Sequence, residues 1–181
     1  MLLHGWPGSF LEFLPMLRLL TSKYTPETLP YHMVVPSLPG YTLSGTIPTT
    51  KDFKLEDCAT ILDTLMCDLG FNRSGYVVQG GDVGSRVARV LGGTQPRARA
   101  IHLNYCNMPK PADLDESDPA IYSDAEKAGI TRTEQFKLTG SAYALEHATR
   151  SSTIGLVLSA SPLALLAWVC CQRSTRVFSQ V

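Results

Sequence analysis

The chain has no excess of charge of either sign. Its 181 residues hold 16 Lys plus Arg and 16 Asp plus Glu, so the formal net charge is zero. That excludes a strongly basic nucleic-acid binder and an acidic scaffold. Disorder is excluded too, because 44% of the residues are apolar and 18% are charged. There is no repeat and no low-complexity tract. Cysteine is sparse and odd in number: Cys58, Cys67, Cys106, Cys170 and Cys171. No CxxC pair occurs and the last two are neighbours, which argues against a disulfide framework or a zinc site. Free thiols acting as small buried hydrophobes in a reducing compartment are expected.

A basic leader is also lacking. The first residues, Met1-Leu-Leu-His-Gly-Trp-Pro, offer neither a charged start nor a long apolar run, so no signal peptide and a cytoplasmic location are expected. One stretch lacks charge altogether, Thr153 to Gln172, between Arg150 and Arg173. Its length would suit a membrane span. Gly155, Ser159, Ser161 and Pro162 interrupt it, however, and a buried helix pair split at Pro162 is the preferred reading. Membrane association is the weaker alternative.

What is present is an alternation of strand and helix patterns. Met1–Leu3 reads as the end of a strand. Ser9 is placed to cap a helix over 10–20 with apolar residues at 10, 13, 14, 17 and 20. Met33-Val-Val is a short strand-like run. Residues 54–69 carry a helical stripe (Leu55, Cys58, Ala59, Leu62, Leu65, Met66, Leu69), with Gly70 as the C-cap. A buried-type strand, 75–79, is followed by a helix over 85–91 and a strand over 99–105. This order predicts a parallel α/β sheet with helices on both faces and a site at the carboxyl ends of the strands. The character changes after Asn107. Pro109, Pro111, Asp113, Asp115, Glu116, Asp118 and Pro119 read as a polar linker, and 123–143 as helix with a break near Gly140. A core over 1–108 and a helical lid over 109–181 are expected.

Chemistry concentrates in Gly80-Gly81-Asp82-Val83-Gly84. A small-x-nucleophile-x-small run between a strand and a helix is a nucleophile elbow, whose sharp turn lifts one side chain above the sheet. Here that side chain is a carboxylate, which can displace a leaving group from a strained or polarised carbon and form an ester. Taken alone, the pattern also describes an ordinary solvated turn. The flanking strand and helix patterns favour the elbow. So do two further loops, His4-Gly5-Trp6-Pro7-Gly8 after the first strand and Pro39-Gly40-Tyr41 after the second. In this architecture the first loop supplies one backbone N–H of an oxyanion hole, and the residue after the nucleophile, Val83, supplies the other.

Together, His4-Gly-Trp-Pro-Gly-Ser, Pro36-Ser-Leu-Pro-Gly-Tyr and Gly80-Gly-Asp-Val-Gly-Ser resemble the α/β-hydrolase epoxide hydrolases, in particular the microsomal and fungal branch. Gly140-Ser-Ala-Tyr-Ala-Leu-Glu-His, Thr149, Thr153-Ile-Gly and Ser161-Pro-Leu-Ala-Leu-Leu-Ala-Trp resemble the lid segment that carries that branch's first tyrosine. The resemblance implies a small-molecule epoxide as substrate and no cofactor or metal. Asp82 would attack the epoxide, and Tyr143 would donate a hydrogen bond to its oxygen. The N–H groups of Trp6 and Val83 would hold oxyanions, supported by His4, Gly5, Pro7, Gly8, Gly80, Gly81 and Gly84. It also implies a cis Trp6–Pro7 bond.

The family also uses a histidine base, an acid that orients it and a second lid tyrosine. None has a matching position among His4, His32, His102, His147 and their surroundings; His147 shares a helical face with Tyr143 and is a poor substitute. Residues 169–181 depart from the family pattern, as a frameshift or early stop would make them do. The expected sheet is therefore the family's central four strands, in the order 4-3-5-6, truncated at both ends. Uncovered sheet edges of that kind favour self-association. A truncated, inactive fragment is the alternative to an epoxide hydrolase. A carbon–halogen hydrolase fits less well, since Val83 offers a halide no side-chain donor.

Overall fold

The computed structural model describes residues 1–108, 111 and 121–177, and for 171–177 the backbone alone. The chain divides into two compact units, 1–109 and 110–181.

In the first unit, three parallel strands form a sheet in spatial order β1 (Leu2–Leu3), β2 (Tyr76–Gly80), β3 (Ala98–Leu103). Leu3 pairs with Gly80 and Gly80 with Leu103, so all three carboxyl ends lie in one row. The expected fourth strand at 33–35 is absent from this ladder. Leu2 N–H donates to Val34 O at 2.9 Å, but the parallel pattern then requires the N–H of residue 36, which is proline. The segment therefore lies at the expected edge of the sheet and is held there by this one backbone bond.

Three helices complete the unit. Ser9 starts a 3-10 turn, Phe10–Phe13, its hydroxyl accepting from Leu11 N–H, and the chain continues into α1 (Leu14–Lys23). Helix α2 (Leu55–Met66) begins where the Asp57 carboxylate accepts from Lys54 N–H at 2.9 Å. A π turn, Cys67–Phe71, follows it and contains Gly70, whose φ of 92° favours glycine. Helix α3 (Asp82–Thr94) connects β2 to β3.

The core lies between α2, α3 and one face of the sheet. Leu3, Leu38, Ala59, Leu62, Val78, Val87 and Leu91 are all nearly inaccessible there. Helix α2 buries Cys58, Ala59, Leu62 and Met66 of its apolar stripe, and Asp63 beside them; Leu55 and Leu69 remain exposed. The Asp63 carboxylate accepts from Tyr76 Oη at 2.7 Å and pairs with the Arg97 guanidinium, which ties α2 to β2 and to the start of β3. Helices on both faces were expected. On the face away from α2 and α3, Val77 is 52% exposed and Ala100 and His102 are also open, while α1 buries no residue.

The second unit is helical: α4 (Asp124–Gln135), a π turn (Phe136–Gly140), α5 (Ala142–Thr149), α6 (Ser151–Ala160) and α7 (Pro162–Val177). Ser123 and Glu126 cap α4 reciprocally. The helix does break at Gly140, where a side chain would meet the Phe136 ring. Proline starts α7, and α6 and α7 meet at 119°. The pair is not buried as expected: Leu156 and Leu163 are more than 70% exposed. No charge marks a solvent face between Thr153 and Gln172, and a unit this small cannot cover so much apolar surface. Among the described residues no single helix is long and apolar enough to cross a membrane; the bent pair passes by composition only.

The polar linker falls mostly on residues outside those described, as does the tail beyond Val177. Of the described cysteines, Cys58 is buried as expected, but Cys106 and Cys170 are exposed. Cys106 lies beyond the last strand and Cys170 on the open helix pair, where no core is available to them.

Candidate active site

The turn from β2 into α3 is held by crowding. A Cβ on Gly80 would sit 2.2 Å from Gly84 O, and one on Gly84 would sit 2.5 Å from His4 O. Helix α3 therefore packs backbone to backbone against the end of β1, which only glycine at both positions permits. Between them Asp82 adopts φ 49°, the left-handed region. For a residue with a Cβ that conformation costs about 1 kcal/mol or more, and it persists where the surroundings enforce it. Asp82 is exposed at the carboxyl end of β2 and begins α3, where the helix N-terminus favours a negative charge.

The loop after β1 closes over this carboxylate. Trp6 N–H donates to Asp82 Oδ1 at 2.8 Å, a charge-assisted bond. Gly5 makes room for it, since a Cβ there would lie 2.5 Å from Asp82 Cβ. The Trp6–Pro7 peptide is cis, as the family resemblance implied. Val83 follows Asp82 in the first turn of α3, where backbone N–H groups have no partner within a helix.

His4 is 1% exposed, and its ring joins two loops. Leu38 N–H donates to His4 Nε2 at 3.0 Å, while Nδ1 faces Gly5 O at 3.1 Å. One nitrogen thus accepts and the other donates, which is the neutral ring. The Tyr41 ring meets His4 edge-on at 5.0 Å. Burial first, and then the Asp82 charge, push the Tyr41 hydroxyl above its ordinary range.

A cavity of about 390 Å³ opens over these groups, bordered by Gly5, Trp6, Glu12, Phe13, Asp82 and Asn104, among others. His4, Pro7, Gly8 and Gly81 also border it. The structure thus brings Asp82, Trp6 and the His4–Gly8 loop together at one end of the sheet, and Gly80 and Gly84 shape the turn beneath. Tyr143 belongs to the other unit, on α5, where it is half-buried. One turn further along α5, the His147 ring lies 5.4 Å from that of Trp168.

Sequence reasoning missed Glu12, Phe13 and Asn104. Asn104 had a signal, since it follows the carboxyl end of the strand that neighbours the elbow. Glu12 and Phe13 looked like ordinary helix-start residues. Among the described residues, no group of three His, Cys, Asp or Glu side chains could hold a metal ion.

Residues 1–151 match the alpha/beta hydrolase fold family. A Dothistroma septosporum protein named "Putative epoxide hydrolase" is 47% identical over 166 residues, which is 92% of this chain and 38% of that protein. The structure of Aspergillus niger epoxide hydrolase superposes with a TM-score of 0.83 at 58% identity, covering 92% of this chain and 43% of that one. Juvenile hormone epoxide hydrolase from the silkworm Bombyx mori gives a TM-score of 0.64 at 28% identity, over 92% and 36%. The chain therefore spans about two-fifths of the length of these relatives.

Proposed function

The chain belongs to the alpha/beta hydrolase fold family and is epoxide hydrolase-like within it, and from that premise we propose that Asp82 opens an epoxide by nucleophilic attack. The observation that carries the reading is the left-handed Asp82 on a strand-to-helix turn, with Oδ1 held by Trp6 N–H at 2.8 Å. That bond orients the carboxylate and leaves Oδ2 to attack. The new C–O bond forms as the epoxide C–O bond breaks, and its electron pair goes to the epoxide oxygen. The Tyr143 phenol is assigned as the donor to that oxygen. Hydrolysis then requires water to attack Asp82 Cγ, with the oxyanion held by Trp6 and Val83 N–H, expelling a diol.

No base for the second half is assigned among the described residues. His4 borders the cavity, but both of its nitrogens are engaged by backbone groups. Base assistance contributes about 10²–10⁴-fold to such a step. The chain is therefore proposed to alkylate readily and to release diol slowly.

Intact-mass spectrometry after incubation with excess styrene oxide tests this directly. One covalent adduct is expected on the native chain and none on Asp82→Asn. An adduct that survives Asp82→Asn, or none on either chain, would overturn the reading.

A further inference from the structure

We infer that Asn104 is a positioning residue for the elbow, acting on Asp82 through Gly81; the inference deepens the proposed function and rests on it. The sheet ends at the row Leu3, Gly80, Leu103, so the turn that carries Asp82 begins where the ladder stops. Two long backbone bonds extend past that row. Gly81 N–H donates to Leu3 O at 3.4 Å, and Asn104 N–H donates to Gly80 O at 3.3 Å. Bonds of that length are weak restraints, yet the next residue is held in a left-handed conformation.

The Asn104 side chain supplies what the ladder does not. Continuing the register, Asn104 lies beside Gly81, and its carboxamide occupies the space that a side chain at 81 would fill. A Cβ on Gly81 would lie 2.6 Å from Asn104 Oδ1, 3.1 Å from Nδ2 and 3.2 Å from Cγ, and these are its three nearest neighbours. The amide therefore rests on the Gly81 backbone and blocks the elbow from settling towards β3. From the other side, Gly5 and the Trp6 N–H meet the Asp82 side chain. The Gly81–Asp82 turn is thus flanked by both loops, and Asn104 borders the same cavity as Trp6 and Asp82. Removing the amide gives the turn room to relax and moves Oδ1 relative to the Trp6 N–H.

The test is a double-mutant cycle on Asp82 alkylation by styrene oxide, using Asn104→Ala, Gly81→Ala and the double variant. The maximal alkylation rate and the half-saturating epoxide concentration are measured separately. Asn104→Ala is expected to lower the maximal rate about 10-fold with little change in half-saturation. Gly81→Ala displaces the amide and is expected to do the same, and the double variant should be no slower than either single. Rates that multiply in the double variant, or an Asn104→Ala rate within twofold of native, would overturn the inference. A second readout needs no epoxide: the Trp6 amide proton resonance, which reports the bond to Asp82. It should shift in Asn104→Ala at unchanged unfolding temperature, and a resonance that stays in place overturns the inference. If no chain forms an adduct while this resonance shifts, the proposed function fails and the positioning role stands.

Discussion

Trp6 and Asp82 are 76 residues apart in the chain, yet the Trp6 N–H meets the Asp82 carboxylate at 2.8 Å. Two backbone features make the contact: a loop leaving β1 through Gly5, and a glycine-bounded turn leaving β2. Strength in one feature without the other would leave the carboxylate unoriented, so changes to either loop are expected to act on the same contact.

Gly84→Ala is expected to disrupt that arrangement most. The new methyl would sit 2.5 Å from His4 O and 2.6 Å from Leu3 O, both backbone atoms with nowhere to move. Overpacking of this kind costs about 1–3 kcal/mol or more. Denaturant titration should show the loss in stability, and Asp82 alkylation should fall with it.

His4→Ala removes a bridge rather than adding a clash. The Leu38 N–H is left buried with no acceptor, at a cost of about 1–3 kcal/mol. Loss of ring packing against Tyr41 adds to this. Asparagine at position 4 retains a polar side chain and should recover part of the stability. Thermal unfolding of the two variants separates the hydrogen bond from the ring.

Much of this geometry was legible in the sequence, because elbow and loop are local patterns. Gly80 and Gly84 mark positions where no side chain fits, and Gly70 specifies a helix end. The strand at 33–35 was misread because periodicity registers Met33-Val-Val but not the consequence of Pro36, whose missing N–H acts on a different strand. The open α6–α7 pair was misread for a related reason. Apolar composition states that a surface needs covering, not that a cover is present. Asn104 was legible by position only, just past the strand beside the elbow, because its contact with a glycine backbone leaves no pattern in one sequence.

Thiol labelling should rank the cysteines by environment. Burial pushes the Cys58 thiol up to about 11, so at pH 8 its thiolate fraction is about 10⁻³. Cys106 is exposed and open to the reagent. A maleimide reagent at pH 8 is expected to modify Cys106 well before Cys58, with peptide mapping to locate the label. Early modification of Cys58 would mean that α2 does not pack against the sheet.

The Asp63 network gives the fold a pH dependence of definite sign. Asp63 is 4% exposed, accepts from the Tyr76 hydroxyl and pairs with Arg97. The Arg97 guanidinium first, with help from the Tyr76 hydroxyl, holds this carboxyl below its ordinary value, while burial first, and then the same carboxylate, raise the Tyr76 phenol. A carboxyl that is more acidic when folded binds fewer protons in the folded state. Its stabilisation is therefore complete above its unfolded value, near pH 4, and is lost as pH falls through the lower folded value. Chemical unfolding between pH 7 and pH 3 should show native stability falling more steeply at the acid end than that of Asp63→Asn. At pH 7 the variant should be less stable by about 1–3 kcal/mol, since a buried charged acceptor shared by two donors is replaced by a neutral one. If native and variant curves remain parallel down to pH 3, then Asp63 does not join α2 to the sheet through Arg97.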